Sequence, residues 1–505
     1  MAFLASPVAT QPLSIAQAIR NPRTALTEVL AGIVTSLALI PEAMAFAIAT
    51  GLDPRTGLFG AVIIAFVTSV FGGRPAMVSA AAGSVALVAA PLIASHGVQY
   101  YFAAVILSGL FQILLAVLGA AKLMRFIPRS VMKGFINALA ILIFSSQMPE
   151  LMGVPWMVYP LVALGLLIVF LLPRWFTLIP APLVAIAAVT AVSLLVGGHV
   201  PTVGQKGSLP EGLPAFGLPH VPWSWDLFVA IAPVAFAMAV VGLIESLLTA
   251  ALVDDLTDTP SRKTRESWAL GLANVVSGLF GSSAGCAMIG QTMINVKTGG
   301  RTRLSSLVAA ASVLALILSL HGVLAVIPMA ALVAVMVYVA FTTFDWHSVR
   351  PRLLRRMPWS ETLVMVLTVV VTVATHNLAL GVAVGVMAAM IAFARRVAHL
   401  VEVTRIPEYD GDELASVRYD IEGTLFFASS NDLYESFHYV EDPERVTLDF
   451  SQARIRDAST VAALDSIMDR YRRGGHQVKV VGLDPSSARI HERLTGQLNR
   501  GEGAV

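Results

Sequence analysis

Charge is scarce in this chain. Only 13% of its 505 residues are Asp, Glu, Lys or Arg, against 56% hydrophobic. Soluble domains average about 25% charged residues. Long apolar stretches recur almost from the N-terminus, which points to a polytopic membrane protein. The net charge of +2 is too small to suggest a nucleic-acid partner. Cysteine is nearly absent as well. Cys286 stands alone, so there is neither an intrachain disulfide nor a cysteine metal cluster. No phosphate-binding loop (GxxxxGK[ST]) and no nucleophile elbow (GxSxG) occurs, which argues against an ATP-driven pump and a membrane hydrolase. The histidines are scattered over loops and span ends, so neither a metal site nor any other cofactor is expected. The opening segment lacks a basic stretch followed by an apolar core, so no cleaved signal is read.

Fourteen apolar runs are present, the first at 26–48 and the last at 378–397. Counted from an inside N-terminus, almost every basic loop falls on one side. "KLMRFIPRSVMK", "SRKTR", "KTGGRTR" and "RPRLLRR" are inside, whereas the outer loops receive only Arg55 and Lys206. The positive-inside rule predicts this asymmetry, and both termini then lie in the cytoplasm. The expected organisation is a transmembrane domain over 1–398, a linker over 399–414 and a cytoplasmic domain over 415–505. A long outer loop separates seven spans from seven more, so the two halves have opposite orientation. Inverted repeats of this kind recur in secondary transporters.

The halves share local features. Span 1 carries Glu42 in "IPEAMAFA" and span 8 carries Glu245 in "LIESLLTA". After each glutamate comes a short segment opened by small residues, "VSAAAGSVALV" and "SSAGCAMIGQTM". Each is expected to be half extended chain and half helix, with the helix starting near the midplane and lining a protein cavity. A helix N-terminus carries free N–H groups and about half a positive charge. Two such ends facing each other hold an anion without a basic side chain. The small residues Ser79, Ala80, Ala81, Ala82, Gly83, Ala284, Gly285 and Ala287 let a ligand approach the backbone. Packing of helices through small residues is the competing explanation.

Glu245 lies one turn from Thr249, on the same helix face. A desolvated carboxylate favours its neutral form, which makes Glu245 a candidate proton-coupling group. Glu42, after the helix-disturbing Pro41, is a second candidate. Asp254, Asp255 and Asp258 are expected to form a salt-bridged cap with Arg262, Lys263 and Arg265. Cys286 is expected to be a small packing residue.

"IPEAMAFAIATGLDPRTGLFGA", "IESLLTAALVDDLTD" and "NVKTGGRTRLSSLVAA", followed by a soluble tail, resemble the SulP branch of the solute carrier family 26 anion transporters. The resemblance implies an α-helical fold of fourteen spans as a 7+7 inverted repeat, with core and gate domains. It also implies homodimers and an elevator-type motion. Carried over by position, the substrate site involves Glu42, Phe46, Ser79, Ala81, Ala82, Gly83, Glu245, Thr249, Ala287, Met288, Ile289 and Gln291. Ile289 stands where the sodium-coupled bicarbonate branch has a hydroxyl residue, so protons are expected as the coupling ion. Gln291 stands where several animal members have arginine, which leaves anion binding to the helix ends and a protonated Glu245. The tail resembles a small α/β STAS domain. Its "DAST" places Asp457 and Ser459 on the phosphorylatable turn of anti-sigma-factor antagonists, but Ala458 and Thr460 depart from that turn, so a passive stabilising or regulatory module is expected.

The implied activity is proton-coupled symport of a small inorganic or organic anion across the bacterial inner membrane, without enzymatic chemistry. A dicarboxylate such as fumarate is favoured, with sulfate and bicarbonate within range. The rivals are a nucleobase transporter of the same fold, an anion channel, and a STAS-linked sensor.

Overall fold

The computed structural model describes residues 15–119, 122, 127–174, 180–196, 200–209, 212–398, 401–410, 413–427 and 430–495. Fourteen helices follow the fourteen apolar runs in order. The first half holds α1 (Pro22–Ala49), α2 (Pro54–Phe71), strand β1 (Ser79–Ala81), α3 (Gly83–His96), α4 (Val98–Val117), α5 (Arg129–Ser146), α6 (Val158–Leu171) and α7 (Ala181–Val196). The second half holds α8 (Trp225–Thr257), α9 (Lys263–Leu279), strand β2 (Gly285–Ala287), α10 (Ile289–Lys297), α11 (Arg303–Ser319), α12 (Met329–Thr343), α13 (Trp359–Thr375) and α14 (Leu378–Ala398). The order helix, helix, strand, helix opens each half. Among the described residues, six helices are long and apolar enough to cross a membrane by themselves, among them α1, α2, α4 and α8.

Local signals account for the helix starts. Asn21 accepts from the Arg23 N–H at 3.1 Å and Pro22 opens α1. Ser224 caps α8 through Leu227 N–H at 3.2 Å, and Thr302 caps α11 through Leu304 N–H at 3.1 Å. Pro41 does not end α1. The helix runs through it, so the ring removes one intrahelical donor without breaking the span.

The helices sort into two packed groups. In the first, α4 lies on α9 and α8, α11 lies on α1 and α2, and α2 lies on α9. In the second, α5 lies on α13 and α12, while α6 packs between α7 and α12. The first four helices of each half thus build one group. Glycines permit close approach at its main seam. Gly109 and Gly271 face each other, and a Cβ on either would meet the other's carbonyl oxygen.

One end of the first group is held by full charges on helix termini. Glu28 of α1 accepts from the N–H groups of Arg301 (2.7 Å), Thr302 (3.0 Å) and Ser305 (3.1 Å), which are otherwise free at the start of α11. The Arg303 guanidinium donates to the carbonyls of Ser69 (3.3 Å), Val70 and Gly72 around the end of α2. Arg74 donates to the Val253 carbonyl at 3.2 Å and to Thr257 and Thr259 at the end of α8. The expected acidic cap takes a different form. Asp254 pairs with Arg74 at 3.2 Å and accepts from Ser261 at 2.7 Å. Asp258 instead ends α8 in the left-handed conformation, with φ 49°. Arg74 lies 180 residues away from Asp254, whereas the neighbouring basic residues are carried off by the start of α9.

The chain divides into two compact units, Met1–Val386 and Met387–Val505, with the division inside α14. The second contains a sheet of β3 (Glu402–Asp410), β4 (Glu413–Leu425), β5 (Arg445–Ile455) and β6 (Gln477–Val481), in that order. The first pair is antiparallel and the other two pairs are parallel. Residues 402–410, expected within a linker, are therefore an edge strand of the sheet. Helices α15 (Ser430–Glu435), α16 (Ala458–Arg473) and α17 (Pro485–Leu494) complete this α/β unit. Its core includes Tyr419, Phe450, Leu464 and Tyr471. Buried Asp442 accepts from Tyr419 (2.7 Å), Tyr471 (2.6 Å) and Arg405 (2.9 Å). Asp457 accepts from the Thr460 N–H at 3.0 Å, so it caps α16, and Ser459 is exposed beside it.

Candidate substrate site

Strands β1 and β2 pair antiparallel inside the first group, with Ser79 opposite Ala287, Ala80 opposite Cys286 and Ala81 opposite Gly285. Neither strand is long enough to cross a membrane, and each passes directly into a helix. The ladder continues through Ala82 N–H to the Ala284 carbonyl (3.4 Å) and Met288 N–H to the Val78 carbonyl (2.9 Å). The first helical residues, Gly83 and Ile289, therefore follow opposite ends of the little sheet. Neither helix has a side-chain cap, because Ala82 and Met288 occupy the N-cap positions. The first N–H groups of α3 and α10 remain available to a ligand.

The strand backbone is supported by neutral side chains. Asn274 of α9 accepts from Gly285 N–H at 2.9 Å and donates to the Gly285 carbonyl at 3.1 Å. It also donates to Gln112 of α4 at 2.9 Å. Tyr101 accepts from Ala284 N–H at 3.0 Å and bonds with Ser283 at 3.0 Å. Ser246 of α8 accepts from Ala287 N–H at 2.9 Å, and Thr292 of α10 accepts from Val78 N–H at 3.0 Å. This irregular backbone is thus satisfied by protein, as it must be at membrane depth.

Glu245 faces this sheet. Its Oε2 accepts from the Ser84 hydroxyl and from the Cys286 thiol, the latter at 3.1 Å. The expectation of a merely packing cysteine is corrected here, since Cys286 makes a polar contact with the carboxylate. Ser84 is a residue that sequence reasoning missed; its signal was its place in the first turn of α3, where side chains of the neighbouring helix arrive. Glu42 borders Gln291, joining α1 to α10. Phe46 lays its ring on Gly83, filling the space a Cβ would take. Thr249 is fully buried and donates to the Glu245 carbonyl at 2.8 Å, so its hydroxyl is already committed within α8. Ser79 is buried with its hydroxyl unpartnered. Ala81, Ala82, Ala287 and Met288 are buried, whereas Ile289 is partly exposed and Gly290 is open.

Two cavities adjoin α1 and α8. One, of about 780 Å³, is lined by Leu247, Leu248 and Ala251 of α8, by Arg129 at the start of α5, and by Lys122 and Lys263. The other, about 390 Å³, is apolar and lies between α1, α7 and α11, lined by Pro41 and Met44 among others. Among the described residues no group of three His, Cys, Asp or Glu side chains is arranged to hold a metal.

Comparisons with known proteins agree with this architecture. The model of the Sulfate permease family matches residues 26–161 and 156–368, and that of the STAS domain matches 405–497. The chain is 46% identical over 467 residues to YbaR of Bacillus subtilis, a protein named as a candidate sulfate transporter, covering 92% of this chain and 96% of that one. It is 27% identical over 484 residues to the bicarbonate transporter BicA of Synechocystis, covering 87% and 85%. The transmembrane domain of a cyanobacterial BicA superposes with a TM-score of 0.63 at 28% identity, over 73% of this chain and 98% of that one. Murine Slc26a9, an anion transporter in the inward-facing state, shares the fold with a TM-score of 0.78 over 93% of this chain and 87% of that one, at 17% identity.

Proposed function

Since the chain belongs to the sulfate permease family and carries a C-terminal STAS domain, we propose that it is a proton-coupled symporter of a small anion. The family is one of transporters, not enzymes. The observation that carries the reading is the pair of uncapped helix starts at α3 and α10, with Glu245 beside the strands that precede them. The free N–H groups of those helices bind the anion. Ser79, Ala81, Ala82 and Gly83 on one side and Ala287, Met288, Ile289 and Gln291 on the other line the place. Glu42 and Phe46 close it from α1.

Coupling follows from electrostatics. An anion beside an ionised Glu245 is repelled, whereas a neutral carboxyl leaves the helix ends unopposed. Proton and anion therefore enter together. Glu42, next to Gln291, is the second candidate for the proton. The cavity lined by Lys122, Arg129 and Lys263 supplies an electropositive approach from the side that the loop charges assign to the cytoplasm. The first helix group moves against the second in an elevator-type cycle, within a homodimer in a bacterial inner membrane. Both termini are cytoplasmic.

Sulfate and bicarbonate head the list of substrates because relatives are named for them. A dicarboxylate such as fumarate, expected from the missing basic side chain, belongs in the same panel. Uptake of labelled sulfate, bicarbonate and fumarate into proteoliposomes, with and without an inward proton gradient, tests the reading. Gradient-driven accumulation of at least one anion is expected, and Glu245→Gln abolishes it while the protein stays folded. Uptake indifferent to the gradient removes the coupling; pH-dependent uptake surviving in the Glu245→Gln variant makes that residue structural.

A further inference from the structure

The two donors to Glu245 come from the two different half-helix segments. Ser84 is the second residue of α3 and Cys286 is the middle residue of β2. Both reach the same oxygen, Oε2, and their own Oγ and Sγ atoms are 3.6 Å apart. Oε1 has no protein hydrogen bond among the described residues, and Glu245 keeps 7% of its surface exposed. No Lys, Arg or His pairs with it among the described residues.

The other titratable groups on the elements packed against α8 are engaged or distant. Tyr101 of α4 is held by Ser283 and Ala284, and Glu266 of α9 by the N–H groups of Gly73 and Arg74. His96, Tyr100, Lys263, Arg265 and Lys297 stand in first or last turns of their helices. Among the described residues, the carboxylate is thus met by two neutral donors and by no charged group.

We propose that Ser84 and Cys286 are positioning residues for Glu245: they pin Oε2 and leave Oε1 as the oxygen that exchanges the proton. The inference rests on the reading of Glu245 as the coupling group. Donors to one oxygen stabilise the ionised carboxylate. Together they set the pH at which the site gives up its proton, and they tie that event to both half-helices. A hydroxyl at position 286 can still donate; a methyl group cannot.

The test needs no knowledge of the substrate. The full-length protein in liposomes is titrated between about pH 4 and about pH 9, and the carboxyl C=O band is followed by infrared difference spectroscopy. Glu245→Gln identifies the band by its loss. Ser84→Ala and Cys286→Ala each move the band's midpoint to higher pH by about half a unit to one unit, and the double variant moves it further. Cys286→Ser restores the wild-type midpoint. Circular dichroism confirms that each variant is folded. A Glu245 band whose midpoint is unchanged in both alanine variants overturns this inference and leaves the coupling reading standing. The absence of any band that depends on Glu245 overturns both.

Discussion

The two half-helices share a topology and differ in how they are closed. On the α3 side, Gly83 is covered by the Phe46 ring, and the following Ser84 is spent on Glu245. On the α10 side, a Cβ at Gly290 would meet nothing within 4 Å. The supports differ too. Around β2, Asn274 holds both backbone groups of Gly285, Tyr101 accepts from the Ala284 N–H and Ser246 from the Ala287 N–H, whereas beside β1 Thr292 accepts from the Val78 N–H. Repetition of a fold therefore does not repeat its chemistry. One half offers a helix start packed against Phe46 and the contact to Glu245, and the other offers the more open backbone.

Three substitutions probe this asymmetry. Gly83→Val drives a side chain into the ring of buried Phe46. Overpacking here costs about 3 kcal/mol or more, and the expected result is a much lower melting temperature in detergent and loss of uptake. Asn274→Leu leaves the Gly285 N–H and carbonyl and the Gln112 Oε1 unpaired. A loss of about 2–4 kcal/mol is expected, read as the same melting shift. Gly290→Ala is the mildest. The melting temperature stays within about 1 °C, because the surface is open, while the KM for the transported anion rises several-fold. Equal effects at 83 and 290 would erase the distinction between the two segments.

Much of this was legible in the order of residues. Apolar runs and loop charges mark the helices because both are local properties. The half-helices declared themselves by being too short and too small-residued to span. Glu42 and Glu245 stood out because carboxylates are rare in apolar runs. The partners were not legible. Ser84 and Cys286 reach Glu245 across 161 and 41 residues, and Arg74 reaches Val253 across 179. Such pairs depend on helix packing, which no window along the chain contains. The tail's β3 was hidden for another reason. "EVTRIPEYD" carries Pro407 and several charges, which suit an exposed edge strand and resemble a linker.

The arginines at the end of the first group carry a consequence for how the protein is made. Membrane insertion counts positive charges without regard to their geometry. The folded protein uses Arg74, Arg301 and Arg303 as planar forks seated on helix carbonyls. Lysine at these positions would still direct the chain into the membrane the right way round, yet it would leave carbonyls unmatched once the helices met. Biogenesis and folding thus draw on the same three residues but read different properties of them, so a change can spare one process and damage the other.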